Sequence, residues 1–222
     1  MKLTVSMITM NEEKAVAKVI ADIRRVAPDA EILLVDSSKD RTAEIAQELG
    51  ARVIKQFPPQ GYGPAMDRAV REGHGDIVIT LDCDDTYPVE VIPELVRLID
   101  EGYDLVNTTR TWRRPKAMPF ANFLANRLFA FAARVLHGLK TTDVHSGMRA
   151  YRKSMIEKVQ WVAKGPALPV DMYVIPHHMG FKTTEIPIDY RERIGETTLQ
   201  RWDSTIWTFK RLWRARQVKK GA

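Results

Sequence analysis

The chain has 222 residues, of which 45% are hydrophobic and 28% charged, with a formal net charge of +6 and one cysteine, Cys83. It is long enough for one sizeable domain with an ordinary core. A lone cysteine excludes an internal disulfide, and no uncharged apolar run is long enough to span a bilayer. From the start, Met1-Lys2-Leu3-Thr4-Val5-Ser6 runs straight into a strand pattern covering Leu3 to Thr9, so no signal peptide is expected. Asn11-Glu12-Glu13 then opens a helix with apolar positions Val16, Val19, Ile20, Ile23 and Val26. Glu31 to Asp36 reads as a second strand, followed by the turn Ser37-Ser38-Lys39-Asp40 and a helix to about Gly50. Val53-Ile54 is a short strand, and Gly61-Tyr62-Gly63-Pro64 begins a helix through Val70. Ile77 to Leu81 is an apolar run of buried-strand type, then a helix carries Val91, Ile92, Leu95, Val96 and Ile99, and Asp104 to Thr108 is another strand. Repeated βα units imply a mostly parallel sheet with helices on both faces, an α/β fold.

The strand ends carry the chemistry. Asp82-Cys83-Asp84-Asp85-Thr86-Tyr87-Pro88 places three carboxylates directly after the Ile77–Leu81 run. Open α/β sheets bind ligands at the carboxyl ends of their strands. Crowded oxygen ligands there suit Mg²⁺ or Mn²⁺ carrying a substrate phosphate; a solvated turn ahead of a helix beginning at Pro88 has the same composition. Thr9 and Asn11, then Asp36 and Ser38, mark the neighbouring strand ends, as ligand groups or as helix caps. The loop Gln60-Gly61-Tyr62-Gly63 lacks both the dinucleotide spacing and a P-loop lysine, which argues against NAD and ATP. Cys83, between two aspartates, reads as a small filler.

The second half is basic and amphipathic. Arg110, Arg113, Arg114 and Lys116 follow the last strand, with Arg149, Arg152, Lys153, Arg191 and Arg193 further on. Guanidinium groups suit phosphate, although a solvated basic face has the same composition. Asp143 is a general base, an orienting group or a loop cap. From Phe120 to Leu139, a wheel puts Asn122, Asn126, Arg127, Arg134 and His137 on one arc and Phe120, Leu124, Leu128, Phe131, Val135 and Leu139 on the other, with Phe123 a misfit. The C-terminal stretch does likewise, with Trp202, Thr205, Ile206, Phe209, Leu212 and Trp213 opposite Lys210, Arg211 and Arg214, then Lys219 and Lys220. Segments 120–139 and 201–220 thus read as membrane-surface helices or as helices packed on the core or on the second subunit of a homodimer. The acidic crevice and the lack of a groove-reading motif argue against nucleic acid. His177 and His178 are adjacent on a helix and read as structural, Asp171 in that helix is expected to face the cleft, and Lys182 to Ile188 is a final strand.

Four segments occur in order: Thr9-Met10-Asn11-Glu12-Glu13, Val35 to Thr42, Asp82 to Pro88, and Ser146-Gly147-Met148-Arg149-Ala150-Tyr151-Arg152. Together they resemble the family-2 glycosyltransferases of the GT-A (Rossmann-like) fold, within which the chain is most similar to dolichyl-phosphate mannose synthase and related polyprenyl-phosphate glycosyltransferases. The resemblance runs from residue 3 to about residue 200. It implies a GT-A domain over 1–200, with a nucleotide-sugar half (1–109) and an acceptor half (110–200), and a basic amphipathic helix over 201–222. It implies that Thr9, Asn11, Glu12, Asp36, Ser38 and Asp82 meet the nucleotide sugar. Asp82 and Asp84 would hold Mg²⁺ or Mn²⁺, with the Thr86 hydroxyl acting through water. Arg110, Arg114, Arg149 and Arg193 would meet an acceptor phosphate, and Asp84, Asp143 and Arg149 would be catalytic. The Asp36 loop is one residue shorter than the usual Asp-Asp-Gly-Ser, and Gly195-Glu196-Thr197-Thr198 replaces Gly-x-Ser-Lys. The expected activity is inverting, metal-dependent hexose transfer from a nucleotide-diphosphate sugar, of GDP-mannose or UDP-glucose type, to polyprenyl or dolichyl phosphate. The location implied is cytoplasmic, or peripheral on the cytoplasmic membrane face. The alternatives are a soluble transferase with a glycan or small hydroxyl acceptor, and a non-catalytic nucleotide-binding module; a nucleotidyl transferase is disfavoured by the missing glycine-rich basic loop after Thr9.

Overall fold

The computed structural model describes residues 1–165, 167–195 and 201–218, with only the backbone of 201–204. The described strands are β1 (Leu3–Thr9), β2 (Glu31–Asp36), β3 (Arg52–Lys55), β4 (Ile77–Asp82), β5 (Leu105–Thr109), β6 (Arg149–Arg152) and β7 (Thr183–Pro187). They form one sheet in the order β3-β2-β1-β4-β6-β5-β7. All neighbours are parallel except those of β6, which runs antiparallel to both β4 and β5. Because β6 is reversed, its first residue lies near the carboxyl end of β4, and the loop preceding it reaches the acidic cluster.

The α-helices are α1 (Val16–Val26), α2 (Thr42–Glu48), α3 (Tyr62–Arg71), α4 (Ile92–Asp100), α5 (Phe120–His137), α6 (Lys153–Lys158), α7 (Leu168–His178) and α8 (Arg201–Ala215). The period-two alternation of a strand divides the core into two layers. On β4, Ile77, Ile79 and Leu81 join Val16, Val19, Ile20 and Ile23 of α1 and Ile92, Leu95 and Ile99 of α4. Val78 points the other way, into a layer with Met66 and Val70 of α3, Phe129 and Ala133 of α5, Leu212 of α8 and most of α7. Helix α7 is apolar on all sides and buried almost throughout, as expected of a helix enclosed by neighbours.

Several expectations are revised. Helix α1 starts at Val16, not at Asn11: the Ala15 and Val16 amides both donate to the Glu12 carbonyl in a separate turn. Asn11 sits in the left-handed region at φ 62°, which asparagine tolerates. Pro88 leads into a short 3₁₀ turn, Val89–Val91, ahead of α4. Strand β6 escapes a pattern reading because it is four residues long with an arginine at each end.

The apolar arc of α5 is turned outward. Phe120, Leu124, Leu128, Phe131 and Val135 are 56% to 66% exposed, while Phe129, Ala130 and Ala133 pack inward. Among the described side chains of α8, Thr208, Arg211, Leu212 and Ala215 are buried, whereas Ile206, Phe209 and Trp213 are exposed. The basic arc expected to face water therefore loses Arg211 to the interior. The expectations for Glu196 to Thr198, Lys219 and Lys220 fall outside the described residues, and the Trp202 side chain lies outside them too. No described helix is long and apolar enough to cross a membrane.

Candidate active site

A cleft of about 1020 Å³ opens along the carboxyl ends of β1, β2 and β4 and extends between the loop after β5, α5 and the start of α8. Thr9, Glu12, Asp82, Asp84, Thr86, Arg110 and Arg193 all line it.

At one end, Thr9 and Asp36 are register partners on β1 and β2. The Asp36 carboxylate is fully buried and accepts from the Thr9 hydroxyl (2.8 Å), the Ser38 hydroxyl (2.6 Å) and Lys55 Nζ (3.0 Å). Asn11 bonds across the same turn: its amide donates to Ser38 Oγ at 2.8 Å, and its Oδ1 accepts from the Lys39 amide. Asp36, Asn11 and Ser38 thus brace the wall, and the groups presented to the cleft here are Thr9, Ser37 and Glu12. Lys55 was not foreseen; it lies nineteen residues from Asp36, and only the β2–β3 pairing brings the two together.

The middle is acidic. Burial and then the neighbouring Asp84 charge push the Asp82 carboxyl up to about 7. Gly147 leaves room for this side chain, since a Cβ there would lie 2.9 Å from Asp82 Oδ2. Asp84 is 3% exposed, and its Oδ1 accepts from the Thr86 amide (3.1 Å) and hydroxyl (2.6 Å). Thr86, expected beside the metal, here spends its hydroxyl on aligning Asp84. Asp85, at φ 64°, turns away to pair with Lys18 at 2.8 Å.

A strap after β7 crosses this region. The Arg191 amide donates to the Thr86 carbonyl (2.9 Å) and the Ile194 amide to the Asp84 carbonyl (3.0 Å). Between them, Arg193 reaches Glu12 Oε1 at 2.7 Å and Asp84 Oδ2 at 3.4 Å. Burial raises the Glu12 carboxyl despite the Arg193 charge. Two convergent carboxylates, one of them carrying a pKa raised by burial and then by the charge of the other, form a site that a hard divalent cation would relieve. No closed cage of three or more His, Cys, Asp or Glu side chains exists among the described residues, so ligand oxygens would have to complete the coordination.

The far end is cationic and apolar. Arg110, at the end of β5, forks onto Asp143 through Nε (2.7 Å) and Nη2 (3.0 Å) and stacks over Tyr190. Burial alone would raise the Asp143 carboxyl, but Arg110 and His145 outweigh it and hold it below the ordinary range. Asp143 is fully buried and does not line the cleft, so it is an orienting group for Arg110 and not a free base. Lys116, Asn126, Phe129 and His145 complete this end.

The expectation for Arg149 is overturned. It is 1% exposed, does not line the cleft, and donates to Asn107 Oδ1 (2.6 Å), the Val144 carbonyl (2.8 Å) and the Pro169 carbonyl, so its guanidinium is turned into the protein interior. Arg114 is exposed and stacks on Phe120, outside the cleft lining.

Comparison with known proteins gives the same outline. Residues 4–160 match the model described as glycosyl transferase family 2. The chain is 44% identical over 198 residues to a dolichyl-phosphate hexose transferase of Haloferax volcanii, covering 89% of this chain and 86% of that protein. It is 27% identical over 207 residues to a polyprenol monophosphomannose synthase of Mycolicibacterium smegmatis, covering 83% and 76%. Some other relatives are longer, and the chain spans 50% to 61% of three of them. Among solved structures, glucosyl-3-phosphoglycerate synthase from Mycobacterium tuberculosis, in complex with Mn²⁺, UDP-glucose and phosphoglyceric acid, shares the fold with a TM-score of 0.78 at 20% identity, covering 99% of this chain and 81% of that one.

Proposed function

The chain belongs to glycosyl transferase family 2, and from that premise we propose that it moves a hexose from a nucleotide-diphosphate sugar, of GDP-mannose or UDP-glucose type, to a polyprenyl phosphate. The observation that carries this reading is the continuity of the cleft: it runs from the Asp82–Asp84 pair, past Arg110 and Lys116, to α5, whose outer face is apolar. A donor diphosphate fits the acidic end only with a cation, whereas a lipid phosphate fits the basic end, beside a helix whose outer face is apolar.

Thr9, Ser37 and Glu12 face the nucleoside. Asp84, aligned by Thr86, and Asp82 would hold Mg²⁺ or Mn²⁺, whose charge would stabilise the departing diphosphate. Arg110, held by Asp143, and Lys116 position the acceptor phosphate. That phosphate is already an anion, so its oxygen attacks the anomeric carbon without a general base. A new carbon–oxygen bond forms, and the bond to the diphosphate oxygen breaks with its electron pair leaving on the nucleotide. Attack from the face opposite the leaving group inverts the anomeric centre. A hydroxyl acceptor would need a base, and the engagement of Asp143 by Arg110 weighs against that alternative. Contact with a membrane surface through α5 and α8 accords with a lipid acceptor.

The test is a screen of labelled nucleotide sugars with Mn²⁺ and polyprenyl-phosphate vesicles. Label extracted into organic solvent, and lost on Asp84→Asn substitution, is the expected result. Label appearing only on water-soluble hydroxyl acceptors would overturn the lipid reading.

A further inference from the structure

The strap residue Arg193 stands against Asp84, one of the two carboxylates proposed above to hold the metal. Its guanidinium spans two walls of the cleft, meeting Glu12 from the turn after β1 and Asp84 from the turn after β4. It is placed there by the backbone, because the amides two residues before and one residue after it are bonded to the Thr86 and Asp84 carbonyls. Arg191 adds a rim contact to Glu90 at 2.9 Å. A guanidinium does not lose its charge at any accessible pH, so this contact is a permanent cation beside the acidic pair. One of its groups, Nε, is buried with no hydrogen-bond partner. The contact to Asp84 is the longer of the two, and the side chain is 29% exposed, so it can be exchanged without unfolding the strap.

We propose that Arg193 is a resident counter-cation that keeps free divalent metal off Asp84 and yields only when metal arrives together with a nucleoside diphosphate. This rests on the donor-site reading above. A metal ion alone must displace the guanidinium from Asp84 and leaves it beside a new positive charge. A metal–diphosphate brings phosphate oxygens that recapture the guanidinium, including its unpartnered Nε–H. Arg193 therefore couples the two ligands, and by linkage each raises the affinity of the other by the same factor. The physical consequence is a cleft whose acidic wall is partly neutralised by Arg193 and takes up metal and donor as a unit.

The test measures free Mn²⁺ by electron paramagnetic resonance, with and without uridine or guanosine diphosphate, in the parent chain and in Arg193→Gln, Arg193→Met and Arg193→Lys. Thermal melting checks that each variant is folded. Both neutral variants should bind Mn²⁺ alone about tenfold more tightly and Mn²⁺ with diphosphate about tenfold more weakly, and Arg193→Lys should stay near the parent for Mn²⁺ alone. Unchanged or weaker binding of Mn²⁺ alone by the folded neutral variants overturns the inference and leaves the donor site standing. If the parent chain binds neither diphosphate with Mn²⁺, the donor-site reading fails, and the inference fails with it.

Discussion

Arg149 and Arg211 head the largest fully buried side chains among the described residues. Their sequence surroundings suggest solvent or ligand, because arginine is rarely shut away. Arg149 is retained by Asn107, two carbonyls and the ring of Tyr173, 5.2 Å away. Arg211 is retained by Asp171 and the carbonyls of Val162 and Lys164. Removing such a group strands its partners without water. Arg149→Met should therefore lower stability by about 3 kcal/mol, read by urea unfolding; a ligand-facing arginine would leave unfolding unchanged. Spacing after a buried strand made Asp82 and Asp84 legible as a pair. It could not show which arginines of the basic second half turn inward, since that depends on carbonyls and rings far away in the chain.

Among the described residues, polar contacts fasten helix α8 at Thr208, Arg211 and Leu212. Arg211 meets Asp171, His137 Nε2 meets the Leu212 carbonyl at 2.8 Å, and His145 Nε2 meets Thr208 Oγ1 at 2.8 Å. Burial pulls the His145 imidazole down to about 4, against the Asp143 charge and with the help of Arg110 and Arg149. An unfolded histidine takes up its proton near pH 6.5, whereas this one stays neutral to about 4. The stability it contributes is complete above pH 6.5 and drains away as pH falls toward 4. Melting temperature should drop over that window, and His145→Gln should flatten the drop. The helices of the first half were readable because each buries a periodic stripe. Helix α5 was harder: its most apolar arc is the one left outside, so a wheel identifies the stripe but not the side that packs.

For the whole molecule, the reversed β6 joins the β3-β2-β1-β4 part of the sheet to β5 and β7 and brings Gly147 against Asp82. The alternation of strands and helices predicted the parallel part of this design, but β6, between β4 and β5, could be found only in three dimensions. The outward residues of α5 lie on the side of the helix away from the cleft, which Asn122, Ala125, Asn126 and Phe129 line, and Phe209 of α8 is edge-on to Phe129 at 5.3 Å. Replacing Leu124 and Leu128 together by Glu should reduce sedimentation with phospholipid vesicles by tenfold or more, because each leucine side chain contributes about 1.5–3 kcal/mol when taken out of water. Turnover of a short, water-soluble prenyl phosphate should be retained.

The outward stripe of α5 has a further consequence at any boundary between water and an apolar phase. Five large apolar side chains along one helix give the protein a wetting preference, like that of a surfactant. Without lipid it should spread at an air–water interface, lower surface tension, adhere to plastic and leave solution on shaking, and a trace of mild detergent should hold it dispersed.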